Sequence, residues 1–267
     1  MNKRTRPTVL TIAGYDPSAG AGILADIKTF ESNKVYGIGV LSALTWQNES
    51  EFESVEWISA ERIISQIEIL LRKSEVEYVK VGLIENVETL KSVVHYLKNH
   101  NPKIRIVWDP ILKASAGFDF HQNSNLKAWQ DLLPHLYLII PNWQEIAWLS
   151  GGKEGLEAAK ELAQHCNVFL KGGHNSEKLG YDYLVVTRQS SVISQEPSHN
   201  TQYDIRTTTF RPKAKNVAPK HGSGCVLSSA LTAFLARGFR DQKACLLAKE
   251  YVTRFLQSNP TLLGFHK

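Results

Sequence analysis

The chain is poor in the features that mark exported, membrane-spanning and metal-clustering proteins. Its 267 residues include three cysteines, Cys166, Cys225 and Cys245, an odd number without metal-type spacing. This favours free thiols in a reducing compartment. No apolar run reaches the ~18 residues that a membrane span needs, and residues 1–7 are basic but have no apolar core after them, as a signal peptide would. We therefore expect a cytoplasmic protein that has no membrane partner.

Two common nucleotide-binding fingerprints are missing as well. The glycine-rich stretch at residues 14–22 is not closed by the Gly-Lys-Ser/Thr of a Walker A loop, and it lacks the Gly-x-Gly-x-x-Gly spacing of a dinucleotide-binding turn. The net charge of +5 is mild and spread along the chain, so it does not by itself indicate a nucleic-acid partner. No repeat, low-complexity tract or linker divides the sequence, and we predict one domain over residues 1–267.

What the chain does have is a regular alternation of short β-rich runs and amphipathic helical patterns. The strand-like runs cover residues 8–13, 36–44, 78–84, 104–110, 136–140 and 168–171. Most of them are followed by apolar residues at helical spacing. This alternation predicts an α/β fold with a central, mostly parallel sheet and helices on both of its faces.

Polar features stand at the ends of five predicted strands. They are the loop at residues 14–22, then Gln47, Asp109, Asn142 with Glu145, and Lys171. Because ligands bind beyond the carboxyl ends of the strands in open α/β sheets, we expect these side chains to meet at one edge. An asparagine and a glutamate together can hold a hydrated Mg²⁺, and a lysine at a strand end can reach a phosphate.

Each of these residues also has a plainer interpretation. Asp26, one turn into the helix after the first loop, can face solvent or pair with the helix dipole. Asp109 can cap the turn that Pro110 begins, and Gln47 can cap a loop instead of contacting the edge of a ligand. The sequence leaves both interpretations open for each single residue. Their convergence on one sheet edge is what favours a ligand site.

A glycine-bracketed turn late in the chain is the second candidate site. Gly222 and Gly224 allow a tight turn and close approach of a ligand, and Ser223 is a suitable N-cap for a helix beginning at about Gly224. The first amides of such a helix bind anions such as a phosphoryl group. Cys225 lies in the first turn, where the pKa of a thiol tends to fall. Alternatively, this is a loop before a core helix, with Cys225 as a small buried residue.

A basic segment precedes this turn. Residues 205–222 contain no acidic residue, and their basic side chains other than His221 are Arg206, Arg211, Lys213, Lys215 and Lys220. Such a segment suits a polyphosphate ligand. The alternative is a solvated loop.

In order and spacing, six motifs resemble the hydroxymethylpyrimidine/phosphomethylpyrimidine kinases of thiamine synthesis, a family of the ribokinase-like superfamily. The motifs are residues 11–26, 43–48, 108–110, 141–145, 171–174 and 221–225. The resemblance implies a three-layer ribokinase-like sandwich. It also implies ATP-dependent phosphorylation of hydroxymethylpyrimidine and of its monophosphate, with Mg²⁺, and a homodimer that acts on a small heteroaromatic alcohol.

The resemblance also assigns roles to individual residues. The substrate-binding positions are Gly14, Asp26, Gln47 and Asp109. The positions that contact ATP are Asn142, Glu145, Lys171, His174 and Ser223, and those that hold the metal are Glu145 and Asp109. The catalytic positions are Gly222, Gly224, Lys171 and Cys225. Cys225 stands where sugar kinases of the superfamily carry an aspartate base.

Some positions depart from the family pattern and leave alternatives open. Tyr15 and Trp46 are bulkier than usual and can stack on a pyrimidine or on a pyridine ring, so a pyridoxal or pyridoxine kinase is the first alternative. The segment directly before His221, residues 216–220, also differs from the usual sequence of the family. A second alternative is a vitamin- or nucleotide-binding protein without catalysis. A third is a hydrolase that uses Cys225 with His221 or His174.

Overall fold

The central sheet has nine strands in the part of the chain that the computed structural model describes, which is residues 6–112, 126–173, 178–189, 203–214 and 217–267. The strands are β1 (Thr8–Tyr15), β2 (Tyr36–Gln47), β3 (Phe52–Trp57), β4 (Val76–Val81), β5 (Arg105–Trp108), β6 (Leu138–Ile139), β7 (Asn167–Leu170), β8 (Asp182–Gln189) and β9 (Tyr203–Phe210). Their order in the sheet is β3-β2-β1-β4-β5-β6-β7-β8-β9. The six strands from β2 to β7 in this order are parallel, and antiparallel pairs join β3, β8 and β9 to the sheet.

Helices cover both faces of the sheet. They are α1 (Gly22–Ser32), α2 (Ala60–Leu71), α3 (Val87–His100), α4 (Leu126–Gln130), α5 (Trp143–Leu149), α6 (Gly155–Leu162), α7 (Ser223–Ala236) and α8 (Asp241–Leu256), with a short 3-10 helix at Leu133–His135. One core lies between the sheet and α2 to α6, and the other between the sheet and α1, α7 and α8. The predicted three-layer α/β sandwich is confirmed. Among the described helices, none has the length and apolar character needed to cross a bilayer.

The central strands are apolar on both faces because both faces are covered by helices. In β5, Ile106, Val107 and Trp108 are each at most 2% exposed. The three cysteines are unpaired, as predicted, and all three are buried. Cys166 lies in the core under α2 to α6, Cys245 in the core under α1, α7 and α8, and Cys225 in the first turn of α7.

The two strands at the edges of the sheet, β3 and β9, were not predicted. β3 pairs antiparallel with β2, and all of its residues are exposed or half-exposed. An edge strand open to solvent carries charged residues such as Glu53 and Glu56, so it lacks the apolar run that marks the central strands. The prediction that residues 1–267 form one domain stays a prediction.

The order of the strands places the site. The chain runs from β1 to β2 on one side of β1 and then returns to β4 on its other side. Ligands of open α/β sheets bind at such a reversal, outside the carboxyl ends of the strands. Residues 14–22, which we call the amino-terminal loop, leave β1 at this point and lead into α1.

Candidate active site

The predicted polar residues lie at the carboxyl ends of the strands, as the sequence indicated. Gln47 is the last residue of β2, Asp109 directly follows β5, and Lys171 directly follows β7. Asn142 stands between β6 and α5 as the N-cap of that helix. Because β5, β6 and β7 are neighbours in the sheet, the structure brings the last three residues together and leaves Gln47 on the far side of β1.

Three charged side chains form a compact group at the ends of β5 to β7, which we call the charged cluster: Asp109, Glu145 and Lys171. The Lys171 ammonium lies 2.6 Å from Oδ1 of Asp109 and 3.4 Å from Oε2 of Glu145. The other oxygen of Asp109 accepts a hydrogen bond of 2.8 Å from the Ser228 hydroxyl in α7. The Lys171 side chain keeps 12% of its surface exposed, so it is the member of the cluster most open to a ligand.

Asn142 and Glu145 are held by the start of α5. The Asn142 side chain accepts hydrogen bonds from the backbone of Gln144 and Glu145, and the Glu145 carboxylate accepts one of 2.6 Å from the Asn142 amide. This reciprocal capping fixes Glu145 close to Lys171. Burial raises the pKa of Glu145 to about 7, with Lys171 opposing the rise and Asp109 adding to it. Near neutral pH Glu145 is therefore only partly ionised, and a cation bound in the site would favour its charged form.

Residues 220–224, which lead into α7 and include its first two residues, lie against the amino-terminal loop. We call this segment the α7 turn. Gly222 has a φ of 69°, and a Cβ on it would lie 2.0 Å from the carbonyl oxygen of Gly20. Gly222 is also the N-cap of α7, without a side-chain hydrogen bond, so the prediction that Ser223 is the N-cap is wrong. The turn requires a left-handed residue at that position, which favours glycine, and Ser223 becomes the first residue of the helix.

The charged cluster and the α7 turn face each other. A Cβ on Gly224 would lie 3.8 Å from the Lys171 ammonium. The amino end of α7, which carries the positive end of the helix dipole, and the ammonium of Lys171 thus lie next to each other. This arrangement can bind a strongly anionic group such as a phosphate chain.

A hydrogen-bonded pair that the sequence did not reveal joins the two glycine-rich segments. Nε2 of His221 lies 2.8 Å from Oδ2 of Asp16, which also accepts a bond of 2.7 Å from the Ala21 amide. Burial alone would raise the pKa of Asp16, but the hydrogen bonds from His221, Ser18 and Ala21 outweigh it and lower that pKa. Some 205 residues separate the partners, so only the fold reveals the pair.

Cys225 contradicts one expectation. Its thiol is buried in the first turn of α7, and the amide of Gly22 donates a hydrogen bond to it. Burial raises the pKa of Cys225 to about 11, with Lys80 opposing the rise and the carboxylates of Asp26 and Asp109 adding to it. The expected fall in this pKa is wrong because desolvation and two nearby negative charges outweigh the helix terminus.

Asp26 lies beneath the site in a fully buried network. Its carboxylate is 2.6 Å from the ammonium of Lys80 in β4, and both side chains have no exposed surface. Thr11 and Ser229 donate further hydrogen bonds to it, at 2.6 and 2.5 Å. The predicted substrate contact therefore has no support in these contacts, since the structure directs both oxygens to protein donors. Lys80 was missed, although a lysine inside an apolar strand is a signal of a buried partner.

The far side of the site is formed by β1 and β2. Gln47 is half-buried, and its side-chain amide donates a hydrogen bond of 2.8 Å to the Thr45 hydroxyl. That hydroxyl donates a hydrogen bond of 2.7 Å to the carbonyl of Tyr15. The aromatic residues beside it, Tyr15 and Trp46, are 36% and 49% exposed. Both rings are exposed at the ends of β1 and β2 and are large enough to stack on a flat ligand.

Most of the basic segment does not face this site. Arg206 pairs with Asp204, and Lys213 with Glu250. Lys220 is buried and donates to backbone carbonyls. Lys215, like His174 of the predicted nucleotide contacts, lies outside the described residues. Lys171 and the amides of α7 thus supply the positive charge that the described geometry places in the site.

A family model for phosphomethylpyrimidine kinase matches residues 16–266. The chain belongs to this family. A hydroxymethylpyrimidine/phosphomethylpyrimidine kinase of Haemophilus influenzae is 33% identical over 96% of this chain and 93% of its own length. One from Staphylococcus aureus is 29% identical over 95% of this chain and 89% of its own.

Solved structures agree with this membership. A phosphomethylpyrimidine kinase from Clostridium difficile superposes with a TM-score of 0.70 at 29% identity, covering 93% of this chain and 99% of that one. An ADP complex of Bacillus subtilis pyridoxal kinase gives 0.73 at 27% identity, covering 94% and 92%. The predicted family and the predicted ribokinase-like fold are confirmed. Neither the alternative of a non-catalytic binding protein nor that of a hydrolase gains support from these relatives.

Proposed function

We propose that this kinase transfers the terminal phosphoryl group of ATP to the hydroxymethyl group of hydroxymethylpyrimidine, and then to the phosphate of the monophosphate, as a step of thiamine synthesis. The observation that carries the proposal is the placement of Lys171. Its ammonium lies 2.6 Å from Asp109 and faces Gly224 at the amino end of α7, within a chain that matches the phosphomethylpyrimidine kinase family from residue 16 to residue 266.

Charge placement is the main contribution of these residues. Phosphoryl transfer passes through a loose transition state, so it needs alignment and charge neutralisation more than covalent help. Lys171 and the backbone amides at the amino end of α7, such as that of Gly224, would bind the phosphate oxygens. Asp109 orients Lys171 for that task through their 2.6 Å contact. Because the site is buried, each of these charges acts more strongly than it would in water.

The carboxylates of the charged cluster suit a magnesium ion. Among the described residues, no group of three or more His, Cys, Asp or Glu side chains could hold a metal alone. Magnesium differs from zinc here, because it keeps several waters and binds through one or two carboxylates and the phosphates of the substrate. Glu145 and Asp109, with Asn142 beside them, fit that requirement. When bound, Mg²⁺ would neutralise charge on the phosphate oxygens.

We place the substrate ring beside Gly14 and Gln47, with its hydroxymethyl group directed to Cys225. As the new oxygen–phosphorus bond forms and the bond between the terminal phosphorus of ATP and its bridging oxygen breaks to release ADP, the hydroxyl proton passes to Cys225 in its thiolate form. Burial raises the pKa of this thiol to about 11, so the free protein holds little thiolate at neutral pH. Since a loose transition state needs little help from a base, we assign the larger part of the rate to Lys171 and α7.

Vitamin B6 kinase activity is the second candidate. A pyridoxal kinase from Staphylococcus aureus, in complex with a non-hydrolysable ATP analogue and pyridoxal, superposes with a TM-score of 0.74 at 26% identity. The exposed rings of Tyr15 and Trp46 would stack on a pyridine as well as on a pyrimidine. Gln47 favours the aminopyrimidine, because an amide can match its donor and acceptor edge.

The deciding experiment measures ADP release from ATP and Mg²⁺ with four acceptors side by side: hydroxymethylpyrimidine, its monophosphate, pyridoxal and pyridoxine. We expect kcat/KM to be highest for the two pyrimidines. A preference for pyridoxal or pyridoxine would move the protein to vitamin B6 salvage and would point to Tyr15 and Trp46. The homodimer and the cytoplasmic location stay predictions, and light scattering of the purified protein tests the first.

A further inference from the structure

The segment after α8, residues 257–267, which we call the tail, packs behind the α7 turn. The ammonium of Lys220 donates hydrogen bonds of 2.6 Å to the carbonyl of Asn259 and 2.5 Å to that of Thr261. The next residue is also bonded to the tail, because the backbone amide of His221 donates a hydrogen bond of 3.0 Å to the carbonyl of Leu262. Two consecutive residues of the turn are therefore bonded to three carbonyls of the tail.

Lys220 has no other evident task in the described contacts. Its side chain is buried, with 7% of the residue exposed, so it does not reach a ligand as the exposed members of the basic segment could. A buried ammonium requires partners, and hydrogen bonds from a charged donor are about twice as strong as neutral ones. Replacing it with an apolar side chain would leave two carbonyls without their donor.

The tail reaches the amino-terminal loop as well. A Cβ on Gly20 would lie 2.8 Å from Cδ2 of Leu263 and 2.6 Å from Cδ2 of His221, so these two side chains cover Gly20 together. The tail is itself braced, since Asn259 donates 2.9 Å to the carbonyl of Leu263. One segment thus contacts both glycine-rich elements that form the site.

We propose that Lys220 is a positioning residue, and that the tail it holds sets the place of the α7 turn relative to the amino-terminal loop. The reasoning rests on the proposed function, in which the α7 turn binds phosphate oxygens. Lys220 touches no substrate in this scheme. It acts through His221 and Gly222.

The test compares Lys220→Met with Lys220→Arg, which keeps donors for the carbonyls, and with Lys213→Met as the matched control. Lys213 belongs to the same basic segment, but its side chain is 42% exposed and pairs with Glu250. Two quantities are measured below the melting temperature of every variant: kcat and KM for ATP, and hydrogen exchange of the amides of residues 222–226 without ligands. Leu263→Ala is included as an independent disturbance of the tail in case Lys220→Met does not fold.

For Lys220→Met we expect kcat to fall about tenfold or more, because a small displacement of a positioned group is costly to the rate. Amide exchange in the α7 turn should quicken about threefold or more. Lys220→Arg should restore most of both quantities, and Lys213→Met should change neither. A variant that melts earlier but keeps the kinetic constants and exchange rates of the wild type would overturn the proposal, since it would show a role in stability alone.

The exchange measurement separates this proposal from the proposed function. It needs no substrate, so wild-type protein without turnover on any of the four acceptors would count against the proposed function only. In that case the exchange rates of Lys220→Met and Leu263→Ala still decide whether the tail holds the turn. Unchanged exchange in both variants would overturn the proposal whatever the activity.

Discussion

Among the described residues, two aspartate–lysine pairs have the same separation of 2.6 Å in very different surroundings. Asp26 and Lys80 lie 2.6 Å apart with no exposed surface, and Thr11 and Ser229 complete the bonding of the carboxylate. Asp109 and Lys171 are also 2.6 Å apart, but Lys171 keeps 12% of its side chain exposed and has the carboxylate of Glu145 as a second neighbour.

The difference is one of saturation. The deep pair has its strong partners within the protein, so it holds α1, β4 and α7 together and offers nothing to a ligand. The outer pair has an exposed cation beside two carboxylates and the amino end of α7, an arrangement that a phosphate and a cation would complete. Equal distances therefore do not imply equal roles. Substitutions in the deep pair should mainly lower the free energy of unfolding, and substitutions in the outer pair should mainly lower kcat.

The largest effect is expected at the deep pair. Lys80→Met leaves the Asp26 carboxylate buried without its counter-charge, which should lower the free energy of unfolding by about 3–5 kcal/mol. Urea denaturation followed by circular dichroism measures it. The double variant Lys80→Met with Asp26→Leu is the control, and it should recover much of the loss. If the free energy of unfolding of Lys80→Met lies within about 1 kcal/mol of that of the wild type, the pair is not needed for stability.

At the outer pair the loss should appear in the rate. Lys171→Met removes the cation directed to the phosphate chain, so kcat should fall about 100-fold to 1,000-fold, as when a preorganised donor is lost. The free energy of unfolding should change less than in Lys80→Met, because solvent reaches Lys171. Steady-state kinetics and urea denaturation of the same preparation test both statements. Unaltered turnover would remove Lys171 from the proposed mechanism.

Cys225 lies between the pairs, since the charges of Lys80, Asp26 and Asp109 all act on its thiol. If it takes the substrate proton, Cys225→Ser should lower kcat about 100-fold, which is the lower end of what acid–base catalysis contributes. KM for ATP should stay close to that of the wild type. Turnover within about threefold of the wild type would exclude the base role and leave charge placement as the whole of the mechanism.

The smallest effect is expected away from both pairs, at His266 in the tail. Burial lowers the pKa of His266 to about 4, with Lys28 adding to the shift. The folded protein therefore binds fewer protons than the unfolded chain between pH 6.5 and 4, and stability should fall as the pH is lowered through this window.

His266→Gln keeps an acceptor near Thr29 and Tyr251 but does not titrate in this range. Between pH 7 and pH 5 its melting temperature should drop by about 2–4 °C less than that of the wild type. Differential scanning calorimetry at the two pH values measures this. Equal drops in the two proteins would show that the ring does not control the acid sensitivity of the tail.

The sequence was sufficient for the layers of the fold and for the edge of the sheet that carries the site. Buried strands such as β4 and β5 are apolar runs, and polar residues such as Asp109 and Lys171 follow the strands directly. The edge strand β3 escaped prediction because its solvent-facing positions interrupt the apolar pattern. Ser223 was wrongly predicted as the N-cap of α7, a position that Gly222 takes, because the left-handed conformation of the turn depends on the packing of the loops.

The pairing of charges was beyond the sequence. The two lysines stand 54 and 62 residues from their aspartates, and nothing local distinguishes a saturated partner from an open one. The prediction that the pKa of Cys225 falls was wrong for a related reason. A helix terminus is visible in the sequence, whereas burial and the charges of Asp26 and Asp109 depend on elements that meet only in the fold.

Because of their placement, the native cysteines can be used to measure the opening of different regions of the protein. Each layer of packing holds a single thiol, Cys166 on one side of the sheet and Cys245 on the other, and the third thiol, Cys225, marks the site between them. A thiol reagent added to the native protein can reach each one only when that region opens. Peptide mass spectrometry over time would then give three separate opening rates from unmodified protein, without an engineered label.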